Sequence, residues 1–397
     1  MGKDWKMVEK EENLLIDEEL RDLVKTSRSI KEPIIKFYHR ITGSSKNFLD
    51  YQIPAAKDNF KTWATSFRGG VILLTMCLVI FIPIIANDIV YFDLFMVAMI
   101  YSIYAASWDL LAGVTGQVSF GHSAFFGIGG YVFIFCLINP WIQIHWVLAI
   151  FIGAISTVLI GLIIAVPALR LKGPYLALGT MAFSLMLFNI FQFPELQAES
   201  IDVPKRLNIW RITTLGPMGE FIIILIFMII SVLIMLIVYN SKLGTIFQGI
   251  RDDENATEAS GINTTKYKLI SFMISAFFAG IAGVLYVFHL GNVSFHNFSN
   301  TLSFFPVIFA ILGGVASISG AVMGAFTFAL LTKLIGEIMD FISLIITLPT
   351  WLTTQIETIS SFIFAIILLI MIRSVERGIM DPAIRHTKSL WDLLMGK

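Results

Sequence analysis

Residues Trp108–Tyr131 read WDLLAGVTGQVSFGHSAFFGIGGY, a polar, glycine-rich interruption between long apolar runs. Gly113, Gly116 and Gly121 are spaced through it, with Thr115, Gln117, Ser119, His122 and Ser123 among them. Glycine costs a helix about 1 kcal/mol relative to alanine, and lipid cannot satisfy the backbone groups that a broken helix frees. An interrupted helix is tolerable only where protein or a wet cavity surrounds it, so this segment is expected to face an interior. Two readings fit the spacing. The break can aim helix ends and hydroxyl or amide groups at a polar substrate, as in transporters. It can equally be a short turn followed by close helix packing on Gly127, Gly129 and Gly130.

The flanking runs set the class. Of 397 residues, 56% are hydrophobic and 14% charged, against about a quarter charged in an ordinary soluble domain. A soluble chain of this length cannot hide so much apolar surface. Lys and Arg total 28 and balance 28 Asp and Glu, which excludes a basic field for nucleic acid. The runs are long enough for helices across a hydrocarbon core of about 30 Å and lack the alternation of barrel strands. The fold class read from the sequence is therefore all-α, a polytopic membrane protein. About ten transmembrane helices are expected, near 71–86, 91–112, 123–138, 146–167, 174–193, 220–239, 267–289, 304–318, 320–338 and 356–372. Residues 339–355, with Phe341 to Leu348, read as an interfacial stretch before the last span.

Charge bias between the spans orients them. Alternation from a cytoplasmic N-terminus puts Arg170, Lys172, Lys242, Arg251, Lys266, Lys268 and the basic C-terminal tail inside. Only Lys205, Arg206 and Arg211 fall outside. Both termini are expected in the cytoplasm. The organisation read here is a polar N-terminal extension over 1–67, a membrane domain over 68–378 and a C-terminal tail over 379–397. No apolar run resembling a secretory signal occurs in the first 30 residues.

The inventory of reactive residues excludes an enzyme. There is no GxxxxGK[ST], HExxH or GxSxG pattern, and no His, Cys and carboxylate cluster with metal-ligand spacing. Neither catalytic residues nor a metal site nor a cofactor bound by this chain is expected. Cys77 and Cys136, both inside apolar runs, read as small buried hydrophobes. Asp109 and Asp93 lie near opposite ends of the second span, where each can reach interfacial water or cap a helix. Lys333 and Glu337 lie four residues apart, so they share one helical face and can pair.

A second segment, Asn240–Lys268, reads NSKLGTIFQGIRDDENATEASGINTTKYK. Leu243, Ile246, Phe247 and Ile250 recur at helical spacing, and Asp252, Asp253 and Glu254 lead into a second short helix ending at Gly261. An ordinary surface loop seldom carries such a double-helical pattern. Docking into a groove on another protein is the reading it favours.

Together these segments resemble the permease subunits of branched-chain amino-acid ABC importers, in particular the longer, M-type of the two paired permeases. Two further blocks carry the resemblance: Leu169–Phe183, LRLKGPYLALGTMAF, and Ile311–Ala325, ILGGVASISGAVMGA. The fullest match is Gly249–Tyr286. Four blocks stand in the family's order between about residues 71 and 378. The resemblance implies a permease pair in a bacterial or archaeal cytoplasmic (inner) membrane and two cytoplasmic ATPase subunits, which bind ATP and Mg. It also implies an extracytoplasmic substrate-binding protein. Carried over residue by residue, Arg251, Asp253, Glu254, Glu258 and Gly261, within a coupling loop over 240–268, fall where the ATPase is contacted. Thr115, Gly116, Gln117, Ser119, Gly121 and His122 fall near the translocation path. Aliphatic amino acids are the expected substrates. Related permeases handle urea or short amides, and an ion-coupled secondary transporter is the more distant alternative. The loop over 193–219 lacks the Thr-Gly-Gly-type stretch common in the family, and Thr245 stands where a basic residue is common.

Overall fold

A computed structural model describes residues 88–138, 144–171, 173–193, 201–202 and 216–345, with scattered positions between 362 and 373. The expected extension over 1–67, the first span and the C-terminal tail lie outside the described residues, as does most of the last span. The described chain is mostly helical. Helix α1, Ile89–Asp109, begins on an Asp88 cap whose Oδ1 accepts from the Val90 amide at 3.1 Å, and it runs on as a π-helical turn, Leu110–Val114. There follow α2, Ser123–Ile138, α3, Trp146–Ala168, and α4, Pro174–Ile190. Then come a two-residue strand β1, Ile201–Asp202, and α5, Gly216–Tyr239. Two short helices follow, α6, Lys242–Asp252, and α7, Glu254–Ala259. The described chain closes with α8, Thr264–Leu290, β2, Asn292–Val293, a 3-10 turn, Phe295–Phe298, α9, Asn300–Gly313, and α10, Ile318–Ile345.

Five of these helices are long and apolar enough to cross a membrane: those over 89–114, 146–168, 217–239, 264–290 and 318–339. Those over 123–138, 174–190 and 300–313 are shorter and apolar. Two expectations need correction. The helix expected over 304–318 starts at Asn300 and stops at Gly313, because Gly314 (φ 115°) and Ala316 (φ 64°) turn the backbone out of helical space. The span expected over 320–338 runs from Ile318 to Ile345, so the stretch read as interfacial from Phe341 begins within α10.

The helices pack as two groups. One is α2, α3 and α8, the other α1, α9 and α10, and α1 joins them by also lying against α8. Small residues let the first group close. Gly129 faces the Gly280 carbonyl, where a Cβ would sit 2.6 Å away, and a Cβ on Gly283 would collide with the Phe126 carbonyl. The Thr157 hydroxyl of α3 lies within hydrogen-bond distance of two carbonyls, Ala154 of its own helix at 2.6 Å and Ala276 of α8 at 2.8 Å, so a side chain bridges α3 to the α8 backbone. Close backbone approach of this kind replaces the hydrophobic drive that lipid cannot supply between helices. Between the groups Tyr104 of α1 and Phe126 of α2 meet edge to face at 4.9 Å, and within the second Tyr101 packs on Phe309. Helix α5 lies against α1 through Phe92 and Phe221. At the end opposite α6, β1 and β2 pair antiparallel, Ile201 with Val293.

Candidate functional site: the π-helical turn and the α6–α7 arm

Helix α1 does not end in an ordinary cap. A π-helix inserts an extra residue per turn and is found mostly at functional positions. Here it lies where Gly113 lowers the cost of departing from α-geometry. Thr115 Oγ1 donates to the Leu110 carbonyl at 3.0 Å and the Gln117 amide to the Leu111 carbonyl at 3.0 Å, closing the turn. The chain then crosses to α2 in irregular backbone, but its polar groups are fastened to protein. Trp108 Nε1 donates to the Ser119 carbonyl at 2.7 Å, and the Phe120 amide to Thr180 Oγ1 of α4 at 3.1 Å. Ser123 meets Ser303 of α9 and Ser184 of α4 at 2.6 and 3.0 Å.

His122 is wholly buried, its Nε2 3.0 Å from Ser107 Oγ. The Ser107 hydroxyl donates its one proton to the Tyr104 carbonyl at 2.7 Å. The Nε2 atom must then be the one that carries the imidazole hydrogen. Nδ1 of His122 and Oγ of Ser119 have no hydrogen-bond partner among the described residues.

The six glycine-segment residues singled out from sequence thus divide. Thr115, Ser119, Gly121 and His122 are buried braces of the break. Gly116, at φ 76°, is exposed beside the arm, and Gln117 is half-buried there. A Cβ on Gly116 would stand 3.2 Å from Arg251 Cα, so α6 is seated directly on the segment.

The arm itself follows from its sequence. Ser241 caps α6, and Gly244 permits the sharp entry from α5, since a Cβ there would strike the Tyr239 carbonyl. Phe247 and Ile250 are buried against the bundle, with Leu243 packed beside them. The apolar stripe that reads as a docking face therefore fixes α6 to its own chain. Asp253 caps α7 by accepting from the Ala256 amide at 3.0 Å, and the backbone turns away at Gly261, φ 84°. No residue of α7 is buried. Glu254 pairs with Lys268 of α8 at 2.5 Å, whereas Glu258 is exposed.

Arg251 is the junction. Its Nε and Nη2 both reach Asp252 Oδ1 at 2.9 Å, and its Nη1 donates to the Gly113 carbonyl at 3.2 Å. On the other side of Gly113, Asp109 is fully buried and its Oδ1 accepts from the Ala316 amide at 2.7 Å. A Cβ on Gly113 would collide with that carboxylate oxygen and stand 2.6 Å from the Ala316 nitrogen. Gly113 thus accepts from α6 with its carbonyl, and its lack of a side chain leaves room for the bond that holds the α9–α10 turn. Asp109 reaches neither interfacial water nor a following helix cap, the two roles expected of it. Asp93 is exposed. Cys136 is buried and free.

The comparisons with known proteins converge on one family. The model of the branched-chain amino acid transport system / permease component family matches residues 90–372, well over half of the chain. The chain belongs to this permease family. The permease is 25% identical over 275 residues to the high-affinity branched-chain amino acid transport system permease protein LivM of Salmonella typhimurium, covering 63% of this chain and 64% of that one. It is 26% identical over 290 residues to the corresponding LivH protein of the same organism, covering 68% of this chain and 89% of that one. A probable LivM of Methanocaldococcus jannaschii is 24% identical over 193 residues, 48% of this chain and 56% of its own. The permease thus spans less than two thirds of the length of these LivM relatives, 64% of the Salmonella protein and 56% of the Methanocaldococcus one. No solved structure matches it. With its apolar helices, the chain is a multi-pass membrane protein of a transport family.

Sequence reasoning missed two pairings of this permease. Glu220 of α5 and His289 of α8 meet at 2.8 Å near the end opposite the arm, and Asp109 meets Ala316. Both join residues far apart in the chain, and no local spacing signals them.

Proposed function

We propose that this permease is the membrane-spanning partner in an ATP-driven importer of branched-chain, aliphatic amino acids. It pairs with a second permease in a bacterial or archaeal inner membrane. Two ATPase subunits, holding ATP and Mg, bind the α6–α7 side, and an extracytoplasmic binding protein delivers substrate to the other. Both chain termini lie in the cytoplasm under this reading. The supporting observation is the Arg251 bridge from α6 to the Gly113 carbonyl of the π-helical turn.

Glu258, on the exposed face of α7, presents negative charge to the ATPase. Glu254 is held to Lys268, so the arm is fastened to α8 as well as to α1. A push on α7 passes along α6 to Arg251, which pulls on the Gly113 carbonyl. The π-helical turn absorbs that pull because its geometry is already displaced from the α-helix, whereas an α-helical end would resist. Asp109 carries the displacement to Ala316, and α9 and α10 shift relative to α1. Access to the space between these helices alternates from one membrane face to the other.

Reconstitution tests the reading. Liposomes holding the permease with its partner permease, ATPases and binding protein should accumulate leucine against a gradient only when ATP and Mg are inside the compartment the ATPases face. Uphill leucine transport by the purified permease alone, driven by a proton or sodium gradient, would overturn it.

A further inference from the structure

At the end of the bundle away from α6, a cleft of about 440 Å³ opens between α1, α9 and α10. Its body is apolar. Leu94, Val97 and Tyr101 of α1 form one wall, and Phe305 of α9 with Phe328 and Ala329 of α10 form the other. Its rim is not. Thr332, Lys333, Gly336 and Glu337 line it at successive positions of one α10 face. Lys333 Nζ and Glu337 Oε1 stand 3.4 Å apart, with a third and a half of their side-chain surfaces exposed.

We propose that this cleft binds a free α-amino acid in its zwitterionic form, with an aliphatic side chain directed into the apolar body. The inference rests on the transport reading above and deepens it by naming where the substrate sits. Four observations carry it. Charged side chains within a membrane-spanning segment are costly and face a bundle interior, a cavity or an interface, so two of them on the rim of a cleft are functional by default. A partly exposed pair of this kind contributes little to stability, so exchanging its mutual contact for a ligand's charges costs little. Lys333 takes the ligand carboxylate and Glu337 its ammonium, and the spacing of one helical turn, roughly 5–6 Å between Cβ atoms, suits groups carried on a single Cα. The volume lies in the range of about 300–1,000 Å³ typical of small-molecule pockets, with a few polar groups at the rim of an open apolar cleft. A neutral, tail-less molecule such as urea gains nothing from the Leu94, Val97 and Phe305 walls and leaves both charges unmatched.

Gly336 supplies a specific test. Gly336 lines the cleft and a Cβ there meets no atom within 4 Å, so a larger side chain can be added at this position without a clash at its root. Full-length permease in phosphatidylglycerol nanodiscs is titrated with radiolabelled L-leucine. The wild type should bind saturably, Lys333→Gln and Glu337→Gln should each weaken binding at least tenfold, and Gly336→Phe should abolish it while the protein stays monodisperse. The ligand analogues should split by charge. 4-Methylpentanoate, which lacks the ammonium, should depend on Lys333 and be indifferent to Glu337→Gln. 3-Methylbutylamine, which lacks the carboxylate, should do the reverse. Phosphatidylethanolamine discs, whose headgroup carries both charges, should leave leucine affinity unchanged. Loss of binding there would assign the cleft to a lipid headgroup and overturn the inference. Absent leucine binding in the wild type, or binding unaffected by all three substitutions, would overturn it too. ATP-dependent leucine uptake that persists in the three variants removes the cleft but leaves the importer standing. Wild-type assemblies that never accumulate leucine remove the importer itself.

Discussion

Asp109 and Ala316 are joined by a 2.7 Å hydrogen bond in which a fully buried carboxylate accepts from the backbone of a residue in left-handed geometry. A non-glycine residue at positive φ is disfavoured by roughly 1–2 kcal/mol. The carboxylate offsets that strain by holding the α9–α10 turn against the end of α1. Gly113 lies between the two groups, and Arg251 grips its carbonyl from the other side.

Replacing Asp109 by Asn retains an oxygen in the acceptor position, whereas Ala removes it and leaves the Ala316 amide unsatisfied. Asp109→Ala should lower stability by about 1–3 kcal/mol, and Asp109→Asn by distinctly less. Thermal unfolding of the detergent-purified permease, followed by intrinsic tryptophan fluorescence, measures the ordering. Equal loss in both variants would mean that the charge, not the acceptor, matters at this turn.

Gly113→Ala inserts a methyl group into the space that the Asp109 carboxylate occupies. Overpacking typically costs about 1–3 kcal/mol, and here the displaced group also carries the Ala316 bond. The double variant Gly113→Ala, Asp109→Ala should therefore be less destabilised than the sum of the two single changes, since removing the carboxylate relieves the methyl group's clash with it and the Ala316 bond is lost only once. Strict additivity in a double-mutant cycle would show that the two residues do not contact.

The acidic residues of the arm should separate by role. Glu254 is bound to Lys268, and this partly exposed pair contributes within roughly 1 kcal/mol, so Glu254→Gln should mainly raise hydrogen exchange across 254–261. Glu258→Lys should leave exchange unchanged and reduce co-purification of the ATPase subunits several-fold. Equal effects of the two substitutions on ATPase recovery would contradict the division.

At the α2–α8 seam, Gly283→Ala would drive a methyl group into the Phe126 carbonyl. The helices must separate, breaking the backbone approach from Gly129 to Gly280 as well. A fall in Tm accompanied by unchanged helix content is expected, read by circular dichroism. An unaltered Tm would mean that the seam is looser than its geometry.

Much of this architecture was legible because it is written in local spacing. The apolar runs place α1 to α5 and α8 to within a few residues but miss an end of α9 and of α10, and Ser241, Asp253 and Gly261 punctuate the arm where helix chemistry demands it. The face of α6 was legible as a face but not as to its neighbour: Phe247 and Ile250 mark an apolar stripe, yet nothing in their spacing says that it buries against the same chain. Local spacing shows Arg251 and Glu254 as charges on the arm and says nothing of their partners within the chain. Their contacts to Gly113 and Lys268 turn inward because tertiary proximity, 138 residues distant in the first case, decides which way a long side chain points. Asp109 looked like a residue seeking water, since sequence gives its depth along a helix but not the helix turn folded over it.

The transmission of force from α6 to the π-helical turn is tested most directly by coupling efficiency. In the reconstituted transporter, Arg251→Ala removes the bond to Gly113 but leaves the exposed acidic face of α7 in place. ATP consumed per leucine imported should then rise at least tenfold over wild type, with ATPase recovery intact. An unchanged ratio, with uptake and hydrolysis still in step, would contradict the account.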